Sequence, residues 1–122
     1  METVLIADDE KNIREGIKCI IDWEELGFKV CGEAANGEEA LKQIYELHPS
    51  LVLLDIKMPK LTGLEVVENA REHGYNGKFI ILSGFSDFKF AQTAIRLGVE
   101  NYITKPIDED ELSEAGARFG GG

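Results

Sequence analysis

LVLLDIKMP, residues 51–59, sets four large aliphatic side chains directly before a carboxylate and then breaks at a proline. A continuous apolar run such as Leu51–Leu54, with no polar alternation, predicts a strand covered on both faces, as in a parallel sheet. Asp55 therefore closes a buried strand. An ionised group there is costly unless a partner or a metal satisfies it, so its placement needs a reason.

Strand-like and helix-like segments alternate on either side of this run. Thr3–Ala7 (TVLIA), Phe28–Ala34 (FKVCGEA), Lys78–Leu82 (KFIIL) and Asn101–Thr104 (NYIT) read as further strands. Lys11–Ile21 puts Ile13, Ile17, Ile20 and Ile21 on one helical stripe, and Asn36–Leu47 does the same with Ala40, Leu41, Ile44 and Leu47. Thr62 and Glu65 form a predicted capping box for a helix that ends near Gly74. Ser86–Gly98 starts on capping residues and stops at glycine, and Asp108 begins a last helix. The alternation predicts one α/β domain over residues 1–115, a parallel sheet with helices on both faces. Gly116–Gly122 (GARFGGG) reads as a flexible tail, a truncation point or an added scar.

The chain has 122 residues, 43% hydrophobic and 30% charged, enough for one ordered domain with its own core. A formal charge of −10 argues against this domain gripping a phosphate backbone itself. No apolar stretch reaches membrane-spanning length, and no signal sequence opens the chain. Cys19 and Cys31 lack ligand-like spacing and are expected as buried, reduced thiols of a cytoplasmic protein.

In open parallel α/β sheets, ligands bind beyond the carboxyl ends of the strands. The polar residues expected there are Asp8, Asp9 and Glu10 after the first strand, Asp55 after the third, Ser83 after the fourth and Lys105 after the fifth. Taken singly, the acids can serve as helix caps, Ser83 as a turn residue and Lys105 as a surface lysine. Jointly they predict one site. Carboxylates crowded together raise one another's pKa unless a cation joins them, and a few acids with several waters suit Mg2+. Asp55, held on rigid backbone, has the chemistry of a nucleophile toward phosphorus, with Ser83 and Lys105 placed to neutralise the transferred group.

At these residues the chain resembles the receiver domain of two-component response regulators. VLIADDE, LVLLDIKMPKLTGLEVV, IILSGFSD and YITKPID occur in the family's order across about residues 2–115. The resemblance implies a flavodoxin-like (βα)5 fold with strand order 2-1-3-4-5. It implies that Asp55 accepts phosphate from a sensor histidine kinase, with Asp9 a direct Mg2+ ligand, Asp8 acting through water and the Lys57 carbonyl completing the metal set. Ser83 would bond the phosphoryl group and Lys105 would pair with it. Pro59 would shape the following loop, Gly63 would open the third helix, and Tyr102 would couple to Ser83 as the switch aromatic. Lys57 and Phe85 would tune the lifetime of the phosphorylated state. Homodimerisation on activation, transcription regulation and DNA contact through an output domain outside this chain are further implications. DWEELGF (Asp22–Phe28), together with GFSDFKFAQTAIRLGVENYITKPID, looks like receivers fused to AraC-type helix-turn-helix domains.

Three other readings compete. A phosphatase with an aspartate nucleophile typically has a second acid two residues on, where this chain has Lys57. A flavin or dinucleotide binder needs a phosphate-cradling loop after the first strand, where this chain has carboxylates. A receiver-like module that works without phosphorylation has no need of Asp8, Asp9, Asp55, Ser83 and Lys105 together.

Overall fold

The computed structural model describes residues 2–84 and 88–119. Five strands, β1 (Glu2–Ala7), β2 (Phe28–Ala34), β3 (Leu51–Asp55), β4 (Lys78–Ser83) and β5 (Asn101–Thr104), alternate with α1 (Lys11–Ile20), α2 (Gly37–Leu47), α3 (Gly63–Glu72), α4 (Phe88–Arg96) and α5 (Glu109–Phe119). The sheet is parallel with order β2-β1-β3-β4-β5, the flavodoxin-like (βα)5 arrangement expected. Every residue of β3 is buried. Its side chains alternate between two cores. Val52 and Leu54 pack with Leu5, Phe79, Ile81, Ile44 and Val66, whereas Leu51 and Leu53 pack with Ile6, Ile80, Ile17 and Leu112.

Local signals account for the helix starts. Asn36 accepts the Glu39 N–H at 2.9 Å, and Thr62 and Glu65 make the reciprocal capping box at 3.2 and 3.0 Å. The expected start of α4 at Ser86, like the position of Phe85 and residues 120–122 of the tail, lies outside the described residues.

Three expectations change. Cys19 is exposed and Cys31 half-buried, because Cys19 follows the inward-facing Ile17 by two positions and points away from the sheet. Ile20 and Leu47, read as core, are exposed. Each is the last residue of its helix. After Ile20 the chain turns extended, sending Ile21 inward, and after Leu47 it turns left-handed at His48. Finally, α5 runs through Gly116 to Phe119. Gly116 is buried where a side-chain β-carbon would sit 3.3 Å from both Trp23 and Leu26, so close helix packing offsets its weak helix propensity.

Two local features bear on the site. A bulge interrupts the β1–β2 register: Val4 faces Val30 but Leu5 faces Gly32, leaving Cys31 as an extra residue. Gly63, in turn, presses on the backbone at the end of β3. Its N–H donates to Ile56 O at 2.9 Å, and a β-carbon there would lie 2.4 Å from the Asp55 carbonyl oxygen. Gly63→Ala should therefore cost about 1–3 kcal/mol of stability, read as a lower urea midpoint. Helix propensity alone predicts a gain of about 1 kcal/mol, so the sign of the change decides between the two effects.

Candidate functional site

The register brings the polar strand ends to one edge. Ala7 pairs with Leu54, Asp55 with Leu82 and Ser83 with Thr104, so Asp8, Asp55, Ser83 and Lys105 leave adjacent strands at one level. Backbone bonds fix them there. The Asp8 N–H donates to Ala34 O at 3.0 Å, and the Lys105 N–H donates to Ser83 O at 2.7 Å. Asp9, Glu10, Asp55, Lys57, Ser83, Gly84 and Lys105 line the resulting cleft.

Asp8 is completely buried, Asp55 is 5% exposed and Asp9 is open to solvent. One carboxylate oxygen from each of the three lies within 4.8 Å of the others. The Lys105 ammonium bridges the two buried members, at 3.0 Å from Asp8 Oδ2 and 3.5 Å from Asp55 Oδ2. Asp8 is not a helix cap. The N-cap of α1 is Glu10, without a side-chain bond, and Asp8 Oδ1 instead accepts the Glu10 N–H at 2.9 Å.

Burial, then the neighbouring Asp8 charge, raises the Asp55 carboxyl to about pKa 6, against the opposing pull of Lys105. Burial pulls the Lys105 ammonium down, but its bonds and charges toward Asp8 and Asp55 outweigh this, so it is raised and stays protonated. A raised carboxyl among acids already facing one ammonium is a site short of positive charge. The donors are all hard oxygens, and the exposed Asp9 leaves room for water, so the set fits Mg2+.

The predicted residues thus gather, with two peripheral members. Lys57 is exposed on the cleft rim, and Tyr102 is half-buried against the α2–α3–α4 side of the core. Arg14 and Glu33 were not anticipated. The Arg14 guanidinium donates to the Asp8 carbonyl at 2.6 Å and to Glu33 at 3.0 Å. A basic residue on the first helix was the only signal for it, and its target depends on the bulge in β2.

The sequence profile of the response regulator receiver domain matches residues 4–116. The chain belongs to that family. As a receiver domain it is a phosphoacceptor switch module rather than a catalytic enzyme, which sets aside the phosphatase and flavin-binding readings. The uncharacterized transcriptional regulatory protein YesN of Bacillus subtilis is 40% identical over 112 residues, which are 92% of this chain and 30% of that protein. The transcriptional regulatory protein HptR of Staphylococcus aureus is 38% identical, over 92% of this chain and 44% of that protein. The chain therefore spans less than half the length of these relatives. Among solved structures, the receiver of the response regulator AraT from Geobacillus stearothermophilus is 42% identical, with a TM-score of 0.89, covering 97% of this chain and 92% of that one.

The AraC-type affiliation is corrected by two further structures. A LuxR-family DNA-binding response regulator from Staphylococcus aureus matches at 32% identity and a TM-score of 0.86, covering 98% of both chains. The receiver of NarL from Mycobacterium tuberculosis matches at 25% and 0.86, over 93% of this chain and 91% of that one. The resemblance is to LuxR/NarL-type regulators. The physical reason lies in DWEELGF, which packs the receiver itself. Trp23 is 4% exposed, meets Phe28 edge-on at 5.9 Å, donates its indole N–H to Ile17 O at 3.3 Å and abuts Gly116. The motif's packing within the domain's own core accounts for it without reference to an output domain. Among the described residues, no helix is long and apolar enough to cross a membrane.

Proposed function

We propose that Asp55 is the phosphoacceptor and that this receiver switches an output domain on receiving a phosphoryl group from a sensor histidine kinase. One observation carries the reading: a single ammonium bridging two buried carboxylates, with a third, exposed carboxylate alongside. In the transfer, an Asp55 carboxylate oxygen attacks phosphorus. The new P–O bond forms as the P–N bond to the kinase imidazole breaks, its electron pair staying on nitrogen, which takes up a proton.

Asp9, Asp55 and the Lys57 carbonyl would hold Mg2+, with Asp8 engaged through water; the bound ion supplies charge neutralisation for the phosphoryl oxygens. Lys105 then exchanges its contact with Asp55 for one with the phosphoryl group, and the Ser83 hydroxyl donates to another of its oxygens. Drawing Ser83 inward leaves space for Tyr102 and biases an existing equilibrium. The output is transcription regulation, with homodimerisation on activation and DNA contact through a domain outside this chain. The names of the relatives as transcriptional regulatory proteins support this reading. Two free thiols fit a reducing, cytoplasmic setting. The receiver body is taken as residues 1–115 together with the rest of α5, through Phe119.

Incubation with acetyl phosphate and Mg2+, followed by phosphate-affinity electrophoresis, tests the assignment. The wild-type chain should shift and Asp55→Asn should not. Equal labelling of the amide variant would refute it, and would favour a module that works without this phosphorylation.

A further inference from the structure

We propose that Arg14 is a positioning residue for the acidic site, holding the Asp8 main chain where Asp8 and Asp9 present their carboxylates to a common cation; this rests on the metal-assisted phosphoacceptor reading above. The Arg14 side chain is 15% exposed and makes two directional bonds from one fork, Nη1 to Asp8 O at 2.6 Å and Nε to Glu33 Oε1 at 3.0 Å. Since the Asp8 N–H already donates to Ala34 O, the last two residues of β2 control both backbone groups of Asp8. Ala34 does so directly, and Glu33 does so through Arg14.

Glu33 is itself well held. Its carbonyl accepts from Gln43 Nε2 at 2.7 Å, and its second carboxylate oxygen accepts from Lys18 at 2.6 Å. Its orientation comes from the bulge. Side chains along a strand alternate faces, and without the extra Cys31 every later residue of β2 would be reversed. With it, Glu33 faces α1 beside Ile6, and Ala34 faces the opposite core beside Ala7. Arg14 thus meets a fixed carboxylate on one side and the backbone of the acidic turn on the other. A lysine in its place has no fork and cannot make both bonds in this geometry.

The inference has a sign that a purely electrostatic role lacks. A cation beside an acidic site repels Mg2+, so if charge were all that Arg14 contributed, a neutral replacement would tighten metal binding. Positioning predicts the reverse. Titration calorimetry of the metal-stripped full chain with MgCl2 should show affinity about tenfold weaker in Arg14→Met, recovered only in part by Arg14→Lys. Lys18→Met, which breaks the other bond to Glu33 without touching Asp8, should cost far less than Arg14→Met, since Gln43 and Arg14 still hold Glu33. Glu33→Gln should weaken it in the same direction and serves as the test if Arg14→Met does not fold. Unchanged or tighter binding in Arg14→Met, full recovery by lysine, or an equal loss in Lys18→Met would each overturn the proposal. Acetyl phosphate labelling of the wild type separates the two levels. Absent labelling counts against the phosphoacceptor reading, whereas normal labelling with an unaltered Arg14→Met affinity counts against this proposal alone.

Discussion

Asp55→Asn will stabilise the metal-free protein at neutral pH by about 2 kcal/mol. The carboxyl rises from 3.8 to about 6 in the folded chain, and burial is the main cause. Each tenfold change in proton affinity is worth about 1.4 kcal/mol, so the ionised group opposes folding by roughly 3 kcal/mol at pH 7. The opposing pull of Lys105 is already contained in that figure, and the imperfect match of an amide to the carboxyl's surroundings returns part of it. The sign follows from linkage. The folded state binds this proton more tightly than the unfolded one, so stability falls as pH climbs from about 4 through about 6 and is flat above. The advantage of the amide variant should accordingly be full above pH 6 and vanish toward pH 4. Urea unfolding in EDTA across that range measures it. A variant no more stable than wild type above pH 6 would mean that Asp55 is not held against its charge.

The reciprocal change has the opposite sign. Lys105→Met removes the ammonium that bridges Asp8 and Asp55 and leaves two carboxylates, one wholly buried, facing each other. Removing one partner of a buried ion pair typically costs about 3–5 kcal/mol. Lys105 is 19% exposed, and Asp55 can relieve the clash by taking up a proton, so a loss of about 2 kcal/mol at pH 7 is expected, shrinking as the pH is lowered toward 5. Phosphoryl uptake should fall at least about tenfold, because the transferred group loses a fixed positive partner. Mg2+ affinity should hold or rise, since a competing cation has gone. A collapse of Mg2+ affinity in this variant would show that the ammonium organises the acids, and would reverse the roles assigned here.

Much of this site could be read before the fold was known, and the reason is geometric. Leu51–Leu54 must be a central parallel strand, so Asp55 has to emerge at the ligand-binding edge, and the polar residues after the neighbouring strands must join it. Asp8 and Lys105 lie 97 positions apart in sequence, yet they meet because each immediately follows a strand of one sheet. What periodicity could not locate is where a helix lets go of its stripe. Ile20 and Ile21 look alike in sequence, but one ends α1 and faces solvent while the other is turned into the core by an extended backbone. Gly116 was misplaced because its value lies in what packs on it, Trp23 and Leu26, and not in its own propensity. The Arg14–Glu33 pair was invisible for a related reason, as an extra residue in a strand leaves no trace in composition.

That extra residue has a second consequence. β2 is one of the sheet's two borders, a row of backbone donors and acceptors on which another extended chain could grow. With Cys31 out of register, the border is kinked and locally overtwisted, a poor template for cross-molecular strand addition. The same irregularity that aims a carboxylate inward thus also breaks the regularity of an exposed strand edge.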